Sequence, residues 1–311
     1  MGWVVLLALV VLAGALPILA ERRRNPITET QRRTAPGGFA DLTGGLTHYR
    51  WFGPEGGPVM VLVHGVSSSA YVWEGLVPRL IAKGARVLVY DLYGRGLSDR
   101  PATAQTRSFF VRQLRELLQD QGVEDGFTLI GYSMGGAIAT VFAAEEAERI
   151  DKLILIAPAG LIQRRAPFVD FCRRVPYLGD WLFGLFGGIA LRRGLDPDAP
   201  STVPTIAARQ AAETRTQGYL RSVLSSQRYF LAEPLADDLA EVRRMQVPTL
   251  AIWGTADRVI PLRAMGELAR ANREARQAEV AGAGHGLVHS HPEEVNRAIQ
   301  TFLREIDGPP I

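Results

Sequence analysis

The sequence predicts an α/β protein built on a parallel β-sheet. From Leu46 onward, apolar runs of strand length alternate with amphipathic helical patterns, as strands and crossover helices do in such a sheet. The run from Val247 to Trp253 is apolar at nearly every position, which is typical of a strand buried on both faces. With 311 residues, 47% of them apolar, the chain is long enough to bury one large core.

The first 20 residues form a separate apolar unit. Residues 1–20 carry no charged side chain, and about 20 apolar residues suffice for a helix to span a bilayer. A cleavable signal peptide would carry positive charge before its apolar core, whereas here Arg22, Arg23 and Arg24 follow it. By the positive-inside rule, we expect an uncleaved single-pass anchor with the following domain in the cytoplasm. Secretion after cleavage near Ala13-Gly14-Ala15 is the alternative.

The remainder of the chain divides into four segments. Residues 21–44 are polar with Pro and Gly breaks, and we expect a linker. Residues 45–160 and 246–311 carry the strand–helix alternation, so they are expected to form two parts of one core. Between them, residues 161–245 show helical patterns without a strand-like run. We call residues 161–245 the helical insertion.

The most informative motif is Gly131-Tyr132-Ser133-Met134-Gly135. An apolar run precedes it and the small-residue segment 136–144 follows, so Ser133 lies between a predicted strand and a predicted helix. This context predicts a nucleophile elbow, a strained turn that lifts the serine hydroxyl clear of the sheet. Glycines two positions before and after the serine leave room for this turn. The pentapeptide alone is a weak signal, and an ordinary strand–helix turn is the alternative.

A serine nucleophile requires a base, and usually a carboxylate that orients the base. Of five histidines, His285 lies in a glycine-rich loop late in the chain, from which it can reach a serine at the carboxyl edge of a sheet. Asp257 lies in the loop after the strand predicted at 247–253. The loop after the apolar run 152–156 has no carboxylate, so Asp257 is the predicted acid.

Acyl transfer also requires two backbone N–H groups that bind the developing oxyanion. Met134, which follows the predicted nucleophile, is expected to supply one of them. The other is expected from the loop after the strand 58–63, where Val66 is our choice and Ser67 the near alternative. His64 in the same loop is expected to brace it by hydrogen bonding.

Jointly, these motifs resemble the α/β-hydrolase-fold serine hydrolases. The resemblance covers residues 45–307 and rests on motifs in the expected order, namely His64-Gly65, Asp91 to Asp99, Gly131 to Gly136, Gly254 to Pro261, and Gly284-His285. It implies a mostly parallel sheet with helices on both faces, and the chain order Ser133, Asp257, His285 is the order of this family. Asp91 is expected to be structural and to hold the glycine-rich turn that follows it.

The helical insertion resembles the cap that covers the active site in many members of this family. It is apolar at residues 167–171 and 177–186, where several aromatic rings occur. These rings either pack the cap onto the core, or line an acyl pocket or contact lipid.

The function predicted from these residues is hydrolysis of carboxylic esters through an acyl-enzyme. The anchor and the apolar insertion favour lipid or acylglycerol esters, and the chain resembles membrane-anchored monoacylglycerol lipases by analogy only. Carbon–carbon bond hydrolases and cofactor-free haloperoxidases share this machinery and stay open, whereas Ser133 argues against dehalogenases and epoxide hydrolases. A non-catalytic binding module is disfavoured because the full triad is present.

Composition excludes several other classes. The net charge is +3 and the arginines are scattered, so no nucleic-acid partner is expected. The single Cys172 excludes an internal disulfide, and no Cys/His pattern indicates a metal site. We therefore expect no cofactor, and the sequence leaves the oligomeric state undefined.

Overall fold

A computed structural model describes residues 1–197 and 199–308. Within these residues, eight strands form one sheet in the order β1-β2-β4-β3-β5-β6-β7-β8. The strands are β1 (Gly38–Leu42), β2 (Gly45–Phe52), β3 (Val59–Val63), β4 (Arg86–Tyr90), β5 (Phe127–Tyr132), β6 (Ile150–Ile156), β7 (Thr249–Gly254) and β8 (Arg276–Val280). β2 pairs antiparallel with both β1 and β4, and the pairs from β4 to β8 are parallel. The mostly parallel sheet expected from the sequence is confirmed.

The helices precede, separate and follow these strands. They are α1 (Gly2–Arg22), α2 (Glu29–Thr34), α3 (Val77–Ile81), α4 (Arg107–Asp120), α5 (Met134–Glu145), α6 (Pro167–Arg174), α7 (Leu178–Arg193), α8 (Ile206–Glu213), α9 (Tyr219–Arg228), α10 (Ala236–Arg244), α11 (Ala264–Ala271), α12 (Leu287–Ser290) and α13 (Pro292–Asp307). Short 3₁₀ turns lie at Ala70–Trp73, Ala147–Arg149 and Phe230–Ala232.

The sheet has an apolar core on each face because alternate side chains of a strand point to opposite sides. In β3, Val61 and Val63 pack into one core with α4, α5, α10 and α11. Met60 and Leu62 pack into the other with α3, α12 and α13. Helices therefore cover both faces, as a parallel sheet requires.

The helical insertion leaves the sheet after β6 and returns at β7. Its described residues form α6 to α10 and contain no strand, apart from one isolated bridge between Thr216 and Asn25. Val169, Cys172, Phe183 and Tyr219 belong to a small apolar cluster of its own.

Helix α1 is the one helix among the described residues that is long and apolar enough to cross a membrane, a test that a signal sequence also passes. Its second half lies against α7: the Trp181 indole donates to the Ala13 carbonyl at 2.8 Å, and a Cβ on Gly184 would lie 3.0 Å from Pro17. Beyond α1, the Asn25 amide donates to the Arg215 carbonyl at 2.8 Å. The end of α1 is thus fastened to the helical insertion.

The segment 21–44 is more ordered than the linker expected from its composition. It contains α2, and Gly38–Leu42 pairs with β2 as the first strand of the sheet. Only Ala40 and Leu42 of that strand are buried, so the apolar pattern is too short to indicate a strand without its partner.

Candidate active site

Ser133 lies at a sharp turn between β5 and α5. Its φ of 54° is in the left-handed region that non-glycine residues rarely adopt. A Cβ on Gly131 would lie 2.3 Å from the Gly135 carbonyl oxygen, and one on Gly135 would lie 1.9 Å from the Val63 oxygen. Both positions therefore require glycine if the turn is to close against β3.

The structure brings the three predicted triad residues together. His285 Nε2 lies 3.0 Å from Ser133 Oγ, and His285 Nδ1 lies 2.8 Å from Asp257 Oδ2. The three side chains come from the loops after β5, β7 and β8, whose carboxyl ends meet at one edge of the sheet. Ser133 is thus linked to a carboxylate through one imidazole.

The surrounding backbone fixes the orientation of both partners of the serine. Asp257 Oδ1 accepts hydrogen bonds from the amides of Val259 and Ile260 at 2.7 and 2.8 Å, which leaves Oδ2 for the histidine. The Tyr132 hydroxyl donates to the His285 carbonyl at 2.9 Å, and its ring centroid lies 5.4 Å from that of the imidazole. The side chain of Asp257 is only 1% exposed, so water competes little for its carboxylate.

The loop after β3 lies beside the serine. A Cβ on Gly65 would be 3.3 Å from the Cβ of Ser133. Neither the Val66 nor the Met134 amide donates a hydrogen bond to another described residue, and the first amides of a helix have no partner within it. Both predicted oxyanion donors are therefore free to bind an anion.

His64 holds this loop to the neighbouring strand end. Its Nε2 accepts from the Leu92 amide at 2.9 Å, which leaves Nδ1 to donate to the Gly65 carbonyl at 2.7 Å. Complete burial lowers its pKa to about 4, so the imidazole is neutral at physiological pH. These contacts agree with the bracing role expected from the sequence.

Asp91 holds the glycine-rich turn after β4 in place by hydrogen bonds. Its carboxylate accepts from the amides of Ala70 at 2.8 Å and Leu97 at 2.9 Å, and from His48 Nδ1 at 2.8 Å. Burial alone would raise the pKa of Asp91, but the hydrogen bond and the charge of His48 outweigh it and lower that pKa. Its burial and these three hydrogen bonds agree with the structural role expected for Asp91.

The model of the α/β-hydrolase fold family matches residues 58–292. This match spans β3 to β8 and the loops that carry Ser133, Asp257 and His285. The chain belongs to the α/β-hydrolase-fold family.

Relatives of this α/β-hydrolase act in more than one way. It is 26% identical to a carboxylesterase from Bacillus subtilis over 263 residues, which cover 83% of this chain and 84% of the relative. It is 23% identical to a 2-hydroxy-6-oxo-6-(2'-aminophenyl)hexa-2,4-dienoic acid hydrolase from Metapseudomonas resinovorans over 269 residues, 85% of this chain and 90% of the relative. The structure of an enol-lactonase from Burkholderia xenovorans is similar with a TM-score of 0.71 and 25% identity, covering 86% of this chain and 99% of the lactonase.

Arg95 is a residue of this α/β-hydrolase that the sequence did not single out. It is fully buried, and its guanidinium donates to the Val66 carbonyl at 3.1 Å and to Ser226 Oγ of α9 at 2.8 Å. Burial lowers its pKa to about 10, so it stays charged at neutral pH. Arg95 therefore connects the loop beside Ser133 to the helical insertion.

The site of this α/β-hydrolase is mostly screened from solvent. Ser133 is 6% exposed and the His285 side chain 22%. No group of metal-ligating side chains occurs within residues 1–197 and 199–308. The groups assembled around Ser133 are an imidazole, a carboxylate and two backbone amides that donate to no other described residue.

Proposed function

We propose that this protein hydrolyses carboxylic esters through an acyl-enzyme on Ser133, with His285 as base and Asp257 as its orienting acid. The observation that carries the proposal is the unbroken hydrogen-bonded chain Ser133–His285–Asp257, at 3.0 and 2.8 Å, beginning at a strained serine. A positive φ costs backbone energy, and a serine needs a neighbouring base to act as a nucleophile. The proposal is supported by the occurrence of both at Ser133.

Acylation begins when Ser133 Oγ attacks the ester carbonyl carbon. His285 Nε2 takes the hydroxyl proton, and Asp257 holds Nδ1–H and stabilises the imidazolium. The tetrahedral oxyanion lies between the amides of Val66 and Met134, at the N-terminus of α5, where the helix dipole also favours negative charge. His285 then returns the proton to the leaving alcohol.

Deacylation uses the same groups in reverse. His285 removes a proton from water, which attacks the acyl carbon of the Ser133 ester. The oxyanion binds the same two amides, and collapse of the second intermediate releases the carboxylic acid while Ser133 regains its proton. No cofactor takes part in either half.

For the substrate, we propose lipid or acylglycerol esters. Support comes from α1, which is long and apolar enough for a membrane anchor, and from exposed apolar side chains nearby on the helical insertion. Those exposed at 43% or more include Phe171, Tyr177, Leu178 and Phe186. In this proposal, residues 161–245 are a cap that covers Ser133 and meets lipid, and the domain faces the cytoplasm.

Two other activities share the same groups. Carbon–carbon bond hydrolases are the first alternative. The relative from Metapseudomonas resinovorans, which is named as the hydrolase of a dienoic acid, supports it. Cofactor-free haloperoxidases are the second. A non-catalytic binding role is the least favoured, because a binding module has no need of an aligned triad.

A series of p-nitrophenyl esters from acetate to palmitate tests both the reaction and the substrate. The full-length protein in neutral detergent is expected to hydrolyse medium or long acyl chains faster than acetate. Ser133→Ala should lower kcat/KM by at least about 10⁴-fold, because the nucleophile is lost while the fold is kept. Circular dichroism and melting temperature verify that the variant is folded.

Ser108→Ala is the matched control, because this serine is exposed, lies outside the site, and its hydroxyl hydrogen-bonds only to Thr106 among the described residues. It should leave every rate unchanged. Full turnover by folded Ser133→Ala would refute the triad. A maximum at acetate that vanishes for longer chains would refute the lipid substrate alone.

A further inference from the structure

A cavity lies away from the triad, where α1 meets the helical insertion. Its volume is about 770 Å³, and Ser133, Asp257 and His285 are not among its lining residues. Its walls come from the end of α1, the segment that follows α1, the turn after β4, and helices α7 and α9. The hydrolytic chemistry proposed above does not account for this space.

The lining of the cavity carries more positive than negative side chains. Five arginines line it, at positions 22, 24, 32, 100 and 221, against three carboxylates. Arg24 pairs with Glu21, and Arg32 pairs with Asp99 at 2.6 Å. The third carboxylate, Asp180, pairs at 2.9 Å with Arg228, which is not a lining residue.

Three arginines of the cavity therefore form no ion pair within the described residues, although the charges of Glu213 and Asp91 act on Arg100. Arg22 makes no side-chain hydrogen bond there, and Arg221 makes only a long one, 3.4 Å to the Arg100 carbonyl. Arg100 donates to the carbonyls of Ser98 and Gly96 at 2.7 and 2.8 Å, while its buried Nε has no partner. Arg22 and Arg221 therefore keep free guanidinium donors at the cavity, and such donors bind anions through charge-assisted hydrogen bonds.

The cavity also has an apolar side. Ile18 of α1, Phe183 of α7, and Leu220 and Leu224 of α9 line it together. A ligand that fills it would carry an anionic group toward the arginines and an apolar group toward these side chains. Arginine favours phosphate, which it binds with paired, charge-assisted hydrogen bonds.

We propose that this cavity binds the terminal phosphate of an amphiphilic lipid whose headgroup has a net negative charge. Arg22 and Arg221 hold the phosphate beside the charge of Arg100, and the first part of the acyl chains lies against Pro17 and the exposed Ile18 of α1. Such a ligand reaches the site along α1, whose apolar face continues into the cavity wall. The occupied cavity would fasten α1 to the helical insertion, because the lipid contacts both.

The test measures binding by isothermal titration to the full-length protein in a neutral maltoside detergent. The Ser133→Ala background prevents turnover, so the result is readable even if the proposed hydrolysis is wrong. The probes are dihexanoyl phosphatidic acid, dihexanoyl phosphatidylcholine and inorganic phosphate. Phosphatidic acid is expected to bind at least about tenfold more tightly than either of the other two, since both the charge and the chains contribute.

Arg22→Gln/Arg221→Gln removes the two proposed phosphate ligands, both exposed enough to be replaced without disturbing the core. It should weaken phosphatidic acid at least about tenfold. The control is Arg33→Gln/Arg193→Gln, which makes the same charge change at exposed arginines that do not line the cavity, and should change affinity by less than about twofold.

Three outcomes would overturn the proposal. Equal affinity for phosphatidic acid and phosphatidylcholine would show that the arginines do not recognise the negative charge of the headgroup. An equal loss in both double variants would reduce the effect to general charge attraction. Inorganic phosphate binding as tightly as the lipid would assign the cavity to free phosphate and exclude the lipid.

Discussion

The two oxygens of Asp257 have separate tasks. Oδ1 accepts from the amides of Val259 and Ile260, and Oδ2 accepts from His285 Nδ1. The first task fixes the loop, and in the proposed mechanism the second selects the imidazole tautomer in which Nε2 is free to take the proton of Ser133. An amide in place of the carboxylate can perform only the first.

Asp257→Asn is therefore expected to keep the fold and lose most of the activity. Its carbonyl oxygen can still accept the two backbone amides, but its NH₂ donates to Nδ1 and leaves the proton on Nε2, facing Ser133. We expect kcat to fall by about 10³–10⁴-fold with little change in melting temperature. The measurement is ester turnover beside thermal unfolding.

The matched control is Asp41→Asn, at an exposed carboxylate of β1 remote from the site. Near-normal turnover by Asp257→Asn would contradict the assignment of Asp257.

Residues with a local motif were predictable from the sequence, and residues defined by distant partners were not. The structure brings Ser133, His285 and Asp257 together as predicted, because each follows an apolar strand whose end lies at one edge of the sheet. Arg95 was missed because its partners, Val66 and Ser226, come from the loop after β3 and from α9, and no local pattern connects them.

At the scale of elements, the attachment of the helical insertion to the core includes a buried carboxyl group. Glu213, at the end of α8, accepts from the Gly96 amide in the turn after β4 at 3.1 Å. Burial raises its pKa to about 7, although the charge of Arg100 opposes this shift. The folded protein therefore favours the protonated carboxyl group.

This shift predicts a pH-dependent stability. The stabilisation from protonated Glu213 is fully present below its ordinary pKa of 4.5 and is lost as the pH rises toward the folded value of about 7. Relative to Glu213→Gln, which can still accept from Gly96, the wild type should lose about 2–3 kcal/mol of unfolding free energy between pH 5 and pH 8. Denaturant unfolding at both pH values measures this difference.

Glu124→Gln, at an exposed carboxylate, is the control and should show the same difference from wild type at both pH values. If the difference in unfolding free energy between the wild type and Glu213→Gln is also the same at both pH values, protonation of Glu213 is not linked to folding.

Among the elements, long apolar runs were predicted well and paired edges were not. The predicted strand 58–63 differs from β3 by one residue, and the apolar run 152–156 lies within β6. β1 was assigned to a linker because a five-residue edge strand depends on its hairpin partner more than on its own composition. The arrangement of α6 to α10 could not be predicted from the sequence either. Helical patterns show which residues form helices but not which helices pack against one another.

At the scale of the whole molecule, the relation of α1 to α7 constrains any membrane placement. A 21-residue helix is about 30 Å long, enough for the hydrocarbon core of a bilayer. Trp181 and Gly184 of α7 contact α1 at Ala13 and Pro17, well before its end. If α1 spans the bilayer, α7 lies at or within the membrane interface, where its exposed Leu178 and Phe186 meet lipid.

An uncleaved anchor predicts that the full-length protein stays in the membrane fraction after an alkaline carbonate wash, with an intact mass that includes residues 2–20. Its retention follows from the burial of about 20 apolar residues in hydrocarbon. A soluble form that begins near Pro17, after loss of Ala13-Gly14-Ala15, would show instead that the segment is a cleaved signal.

The account as a whole depends on Ser133 being an activated nucleophile. The most direct measurement is labelling of the full-length protein with a fluorophosphonate, followed by intact mass and peptide mapping. We predict one phosphonyl group per chain, attached to Ser133, and loss of labelling in a folded His285→Ala variant. Absence of labelling, or a label on another serine while Ser133 stays unmodified, would contradict the account.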